Sequence, residues 1–144
     1  KALEVQIPFL QSVLKDFKIV PIVMGDQSKM FVDHLVEKIS EVVDEETLVV
    51  ASSDMSHFYS SEEADRLDSV VEQRINDFDF EQLLKDLDDK ECEACGGGPI
   101  AVMMKAASLK NISKSYVINR SDSGDITGDK SAVVGYLSAV IYDN

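Results

Sequence analysis

The sequence is poor in basic residues and in histidine, and it contains no tryptophan. Its 14 lysines and arginines stand against 27 aspartates and glutamates, which gives a formal net charge of −13 at pH 7. Binding to nucleic acid or to an anionic membrane needs a basic stripe that neutralises phosphates, and none is present. No apolar run approaches the roughly 18 to 20 residues that a membrane span needs. We therefore expect neither nucleic acid nor a membrane among the partners of this chain.

Cysteine is equally scarce, since Cys92 and Cys95 are the only two. Two cysteines three residues apart do not make the disulfide framework of a small secreted domain. A single Cys-x-x-Cys without a second pair is also a weak zinc signal, and we expect Cys92 to be incidental. The scarcity of cysteine favours a reducing, cytoplasmic location.

The 144 residues suffice for one hydrophobic core, so residues 1–144 are predicted to form a single domain. Apolar β-branched runs alternate with amphipathic helical patterns at short spacing. This alternation predicts a layered α/β fold, with a mostly parallel sheet and helices on both faces. The last two strands lack an intervening helix and are predicted to be an antiparallel pair at the edge. The predicted strands are 17–25, 47–53, 115–118 and 132–142, and the predicted helices are about 8–16, 28–43, 61–75, 80–87 and 101–109. Ser60 and Glu63 fit a capping box at the start of the third helix. The last helix is almost continuously apolar, which predicts burial on several sides.

The second predicted strand ends in polar residues, Ser52-Ser53-Asp54-Met55-Ser56-His57. Open α/β sheets bind ligands at the carboxyl ends of their strands. Asp54 and His57, three residues apart in a loop, can converge on one ligand or bond to each other. They could be metal ligands, or a general acid/base with the group that orients it. The structural alternative is a helix-capping aspartate and a loop histidine bonded to the backbone.

Cys95 is the second candidate, because it precedes Gly96-Gly97-Gly98-Pro99 at the start of a predicted helix. The helix dipole and free backbone donors at this end favour a thiolate, which is a nucleophile and a soft metal ligand. Gly96 and Gly97 would let an anionic group approach the backbone. The structural alternative is a small buried residue in a turn.

Two other polar features are predicted to carry no chemistry. His34 lies on the second predicted helix between Asp33 and Glu37, which is typical of an ordinary surface histidine. The acidic loop 122–129 lacks the spacing and the closing glutamate of an EF-hand, so we expect a tight solvated turn.

Five segments have the order and spacing of a known family. They are Ala2-Leu3-Glu4-Val5-Gln6-Ile7-Pro8-Phe9-Leu10, Ile19-Val20-Pro21-Ile22-Val23-Met24-Gly25, Ser52-Ser53-Asp54-Met55-Ser56-His57, Cys95-Gly96 with Pro99-Ile100, and Gly135-Tyr136. Together they resemble the Memo-like family, also called AmmeMemoRadiSam system protein B. The resemblance implies a fold similar to class III extradiol (non-heme iron) dioxygenases. It also implies a pocket that binds iron or copper through histidines, an aspartate and a cysteine, which at the matching positions are Asp54, His57 and Cys95.

The sequence departs from the family pattern at its start. The family has a histidine directly before the Ala-Leu-Glu-Val-Gln segment, where this chain has Lys1, and a further histidine upstream. The chain is thus expected to correspond to the later part of a Memo-like domain. The sequence leaves open whether a second chain or a homodimer completes that domain, or whether the chain is the remnant of a longer protein. The leading hypothesis is metal-dependent oxidation of a small organic substrate. The alternatives are a non-catalytic module or adaptor for a peptide or anionic ligand, and a metal chaperone.

Overall fold

The computed structural model describes residues 3–143, which form helices and a small sheet. The elements are α1 (Ile7–Val13), α2 (Lys29–Val42), β1 (His57–Tyr59), α3 (Ser61–Asn76), α4 (Phe80–Asp88), α5 (Gly97–Leu109), β2 (Lys114–Asp122), α6 (Gly124–Thr127) and β3 (Val133–Tyr142). The five predicted helices and the two last strands are therefore present, with shifted ends.

The sheet has the strand order β1-β3-β2, and both of its pairings are antiparallel. The long pairing of β2 with β3 confirms the predicted antiparallel pair. The mostly parallel sheet is not confirmed, because it depended on strands at 17–25 and 47–53. Within the described part of the chain, residues 18–24 and 48–51 make no backbone hydrogen bond to another segment. A strand is stable only beside a hydrogen-bonded neighbour, so these two segments carry a strand-like sequence without strand structure.

Local signals explain the central helices. Ser60 caps α3 by accepting a hydrogen bond from the Glu63 N–H at 3.3 Å, as predicted from the capping-box pattern. Asp79 caps α4 in the same way, by accepting from the Gln82 N–H at 3.0 Å. These caps fix where α3 and α4 begin, and thereby how they meet the sheet.

Helix α5 lies at the centre of the molecule and contributes to both hydrophobic clusters. One cluster joins it to α3, α4 and β2, and the other joins it to α2 and α4. Seven of its 13 residues are buried, as its continuous apolar sequence predicted. The buried side chains of the two clusters are Met55, Val71, Ile75, Leu83, Cys92, Ile100, Met104 and Val117, and Val32, Val36, Leu84, Ala101, Val102 and Ala106.

Apolar side chains near the amino-terminal end remain exposed. Val20 and Val23 are 85% and 83% exposed, and Phe9 and Val13 on α1 are also mostly in solvent. No helix within residues 3–143 combines the length and the apolar character needed to cross a membrane. This part of the molecule therefore presents an apolar surface that the described residues do not cover.

Candidate functional site

The segment of residues 54–57 is held by the backbone between β3 and the start of α5. The Met55 N–H donates to the Gly135 carbonyl, and the Gly135 N–H donates to the Ser56 carbonyl, each at 2.9 Å. The Cys95 N–H donates to the Asp54 carbonyl at 3.0 Å. Met55 and Ser56 are buried, so the backbone path of this segment is fixed by its neighbours.

Asp54 and His57 meet at the outer side of this segment. Asp54 Oδ2 lies 3.7 Å from His57 Nε2, which is too long for a hydrogen bond but suits an ion pair with a protonated imidazole. The Asp54 side chain is 54% exposed and the His57 side chain 32% exposed. The predicted convergence of these two groups is therefore present, and both can be reached from solvent.

The Cys95 thiol lies beside the same segment. Its Sγ accepts a hydrogen bond from the Asp54 N–H at 3.1 Å and lies 3.8 Å from Ser53 Oγ. The main chain of Asp54 thus contacts Cys95 twice, once through its N–H and once through its carbonyl. Cys95 is exposed. The structure therefore brings the three sequence-predicted residues to one corner.

Cys92 differs from Cys95 in its exposure to solvent. It is buried in the first hydrophobic cluster and only 1% exposed. Burial raises the pKa of its thiol to about 11, because the charged thiolate is poorly solvated there. Cys92 is therefore a core residue, and Cys95 is the accessible thiol of the pair.

The glycines after Cys95 serve close packing. All three of their N–H groups are already bonded, so no free donor is left for an anion at this helix end. The acceptors are Ser53 Oγ for Gly96 at 2.8 Å, the Ala94 carbonyl for Gly97 at 3.1 Å, and Gln27 Oε1 for Gly98 at 2.7 Å. A Cβ atom on Gly96 would lie 2.7 Å from the Ser52 carbonyl oxygen, and one on Gly97 would lie 2.4 Å from Leu87 Cδ1. Gly96 therefore lets the start of α5 approach Ser52 and Ser53 closely, and Gly97 lets α5 pack closely against Leu87 on α4.

Three residues that contact the site were not predicted from the sequence. Gln27 donates to the Cys95 carbonyl at 2.8 Å, and Gln6 donates to Ser52 Oγ at 3.0 Å. Asp68, on α3, accepts from the Ser56 N–H at 3.0 Å. Gln6 lies in one of the family-like segments, which is a signal that could have drawn attention to it. Gln27 and Asp68 lie in no recognisable motif, so only the fold reveals them.

The other two polar features behave as expected. His34 is exposed on α2, away from the core side chains of that helix. The acidic loop forms a compact turn in which Lys130 pairs with both Asp122 and Asp125. Neither feature joins the corner formed by Asp54, His57 and Cys95.

The donor set fits a metal only in part. Within residues 3–143, no group of three or more histidine, cysteine, aspartate or glutamate side chains is placed to hold an ion. Asp54 and His57 alone are compatible with a shared ion, because two bonds of about 2.1 Å reach across a gap of up to about 4.2 Å. Cys95 Sγ is nearby but directed at the Asp54 N–H. The corner therefore offers an oxygen and a nitrogen that converge, with a sulfur beside them.

Comparison with known proteins agrees with this arrangement of motifs. The family model described as Memo-like protein matches residues 1–140. A MEMO1 family protein of Methanobrevibacter smithii is 38% identical over 142 residues, which cover 96% of this chain and 50% of that protein. MEMO1 family proteins of Sulfurisphaera tokodaii and Thermotoga petrophila are 39% and 35% identical, over 95% and 98% of this chain and half of their own length.

These matches confirm the resemblance that the sequence motifs indicated. The chain spans about half the length of the curated relatives it matches. The chain belongs to the Memo-like family.

Proposed function

We propose that this chain supplies one wall of a redox-metal pocket, for iron or copper, in a Memo-like protein. Asp54 and His57 are the proposed ligands at its centre, with Cys95 as a thiolate ligand beside them. The single observation that carries the proposal is the convergence of Asp54 Oδ2 and His57 Nε2 at 3.7 Å on an exposed corner that also holds the Cys95 thiol.

The three side chains differ in the metal ions that they favour. Neutral imidazole and carboxylate suit iron and copper alike, and a thiolate favours softer ions such as cuprous copper. A bound iron or copper ion would supply one-electron redox chemistry and an open position for a small ligand. The chain itself would orient its ligands through the backbone bonds of Asp54 to Cys95 and of Met55 and Ser56 to Gly135.

The remaining ligands are proposed to come from polypeptide equivalent to the unmatched half of the relatives. Within residues 3–143, segments 18–24 and 48–51 make no backbone hydrogen bond to another segment, and several of their apolar side chains are exposed. A neighbouring strand outside residues 3–143 could pair with both segments. With that neighbour present, we propose that both segments become strands of a mostly parallel sheet. A homodimer is less favoured, because two copies that each carry a charge of −13 repel one another.

Oxidation of a small organic substrate is the catalytic form of this proposal. Its test is oxygen uptake by the metal-loaded protein with a panel of phenolic and thiol substrates. Uptake that requires both metal and His57 supports an oxidoreductase. Stoichiometric metal binding without uptake contradicts oxidation of these substrates and favours the metal-chaperone alternative. We propose a cytoplasmic location because both cysteine thiols are free, as is usual in a reducing compartment.

The metal site itself is tested by titrating the chain with Fe²⁺ and with Cu⁺, and by measuring bound metal per chain. The variant is Cys95→Ala, and Cys92→Ala is the matched control. We expect Cys95→Ala to weaken binding at least about tenfold, in line with loss of a ligand or of a group that orients one. Cys92→Ala should bind as the wild type does, because its thiol is buried in the core.

The outcomes separate the roles of the side chains. Equal binding by the wild type and by Cys95→Ala contradicts the ligand role of Cys95. Equal binding by the wild type and by the double variant Asp54→Asn/His57→Ala contradicts the metal site as a whole. A chain that binds an anionic peptide but neither metal would support the non-catalytic binding module.

A further inference from the structure

A buried carboxyl group lies directly behind the site segment. Asp68, on α3, is only 2% exposed, and its Oδ1 accepts the Ser56 N–H at 3.0 Å. Burial raises the pKa of Asp68, although the hydrogen bond from the Ser56 N–H opposes that shift. Burying an ionisable carboxyl group costs free energy, and hydrogen bonds offset that cost. The position of Asp68 therefore points to a role for its hydrogen bond to Ser56.

Gly135 on β3 completes the contact from the other side. A Cβ atom at this position would lie 1.7 Å from Asp68 Oδ2, so only glycine lets the strand pass this close to the carboxyl group. The same glycine bonds to Met55 through its carbonyl and to Ser56 through its N–H. Asp68 and Gly135 therefore hold, through three hydrogen bonds, the backbone of the two buried residues between Asp54 and His57.

The hydrogen bond that Asp68 accepts from Ser56 comes from the backbone N–H and not from the hydroxyl group. Ser56 is fully buried, and within residues 3–143 its Oγ has no hydrogen-bond partner. The contact with Asp68 runs through the Ser56 backbone N–H instead. What Asp68 fixes is thus the path of the main chain, and that path sets where Asp54 and His57 project.

We propose that Asp68 is a positioning residue for the Asp54–His57 pair. It accepts the Ser56 N–H while Gly135 bonds the Met55 N–H and the Ser56 carbonyl, and together these bonds fix the main chain so that the two side chains converge. The importance of Asp68 for metal binding rests on the proposed metal site. Its effect on the positions of the Asp54 and His57 side chains does not. The Asp68 carboxylate acts through the Ser56 main chain and does not itself reach the proposed ligands.

The chain contains only two histidines, His57 and His34, which makes the geometric effect measurable. The probe is the pair of imidazole Cε1–Hε1 cross-peaks in NMR spectra of the metal-free protein. In Asp68→Ala, the His57 cross-peak should move or broaden while the His34 cross-peak stays in place. Asp68→Asn keeps an oxygen acceptor of the same shape, and it should restore the wild-type position of the His57 cross-peak.

A second measurement needs no variant. In the wild type, the Ser56 amide should exchange with solvent at least about 100-fold more slowly than an unprotected amide, because its N–H is bonded and buried. Rapid exchange of this amide overturns the proposal even if Asp68→Ala fails to fold. The proposal is also overturned if the His57 cross-peak is unmoved in Asp68→Ala, or if Asp68→Asn shifts it as much as Asp68→Ala does.

Metal titration of the same variants separates this proposal from the one on which it rests. Asp68→Ala should bind metal about 10-fold more weakly than the wild type and than Asp68→Asn, as expected for loss of a group that orients ligands. If neither wild type nor variant binds metal while the His57 cross-peak moves as expected, the metal site fails and the positioning role stands. If the wild type binds metal and the cross-peak does not move, the positioning role fails alone.

Discussion

Residues 55–143 and residues 3–53 contain similar apolar, β-branched segments but use them differently. In the carboxyl-terminal region, β3 pairs with β2 from Gly135 to Tyr142, and side chains of both strands pack in the core. In the amino-terminal region, Val32 and Val36 on α2 are the fully buried apolar residues, and Val20 and Val23 face solvent. The difference shows that an apolar run becomes a strand only where a neighbour accepts its backbone hydrogen bonds.

The proposed site lies at the boundary between these two regions. Asp54 and His57 are fixed by the packed region, through β3, α3 and α5. The residues that lead into them, 48–51, belong to the unpaired region. Within residues 3–143, the corner holds this converging pair without a third side chain placed to hold an ion.

The largest contrast between the regions is expected from removing a leucine side chain. Leu83→Ala, in the packed region, should lower the free energy of unfolding by about 3 kcal/mol, because it opens a cavity at a fully buried position. Leu48→Ala, in the unpaired region, should change it by less than about 0.5 kcal/mol. Urea unfolding of both variants measures the difference. Equal losses would mean that the Leu48 side chain is packed in solution.

The next contrast concerns two paired carboxylates. Asp86 is nearly buried and accepts from Arg74 at 2.6 Å and from Gln82 at 2.7 Å. Asp86→Asn should cost about 2.5 kcal/mol, because it leaves the Arg74 charge without its partner. Asp33→Asn, on exposed α2, should cost less than about 1 kcal/mol as the loss of a surface pair.

The pH dependence of stability sharpens the same contrast. Burial raises the pKa of Asp86, but the bonds from Arg74 and Gln82 outweigh burial and leave the pKa below the ordinary 3.8. Its contribution is therefore present above pH 3.8 and is lost as the pH falls through the lowered pKa. In Asp86→Asn, the part of the stability that the wild type loses in acid through Asp86 should be absent at every pH. An unchanged acid profile in that variant would contradict the lowered pKa.

A glycine in each region gives a smaller contrast. Gly135→Ala should lower the free energy of unfolding by about 2 kcal/mol, because the added Cβ collides with Asp68. Gly25→Ala has nothing within 4 Å of its added Cβ and should change it by less than about 0.5 kcal/mol. Thermal unfolding of the two variants compares them directly. A neutral Gly135→Ala would show that Asp68 and β3 are not in close contact.

The smallest effect is expected at Ser56. Ser56→Ala removes a buried hydroxyl that has no hydrogen-bond partner in the described part of the chain. The variant should be as stable as the wild type or up to about 1 kcal/mol more stable. A loss of more than about 1 kcal/mol, measured by urea unfolding, would mean that the hydroxyl is bonded in solution.

Sequence patterns predicted the packed region well, because its signals are local. The Ser60 and Glu63 capping box marks the start of α3, and the continuous apolar run of α5 indicates burial on several sides. The parallel sheet could not be predicted reliably from residues 17–25 and 47–53. Their sequences favour strands, but pairing depends on a neighbour that no local pattern specifies.

The candidate site was predictable to a similar extent. The three-residue spacing of Asp54 and His57 anticipated their convergence, and the family motif added Cys95. The predicted loop was wrong at His57, which lies in β1 because it pairs with Val134 of β3. The free anion-binding donors expected at Gly96 and Gly97 are engaged by Ser53 and Ala94 instead. The roles of Gln27 and Asp68 depend on contacts between segments far apart in the chain, so no spacing rule could reveal them.

The central claim is that His57 belongs to a metal site, whereas His34, although it is accessible, does not. The most direct test adds substoichiometric Cu²⁺ to the protein and follows NMR broadening of the two histidine ring signals. His34 is the more exposed of the two and serves as an internal control for adventitious binding. The account predicts that the His57 signal broadens first and the His34 signal persists. Broadening of His34 first, or of both signals equally, would contradict it.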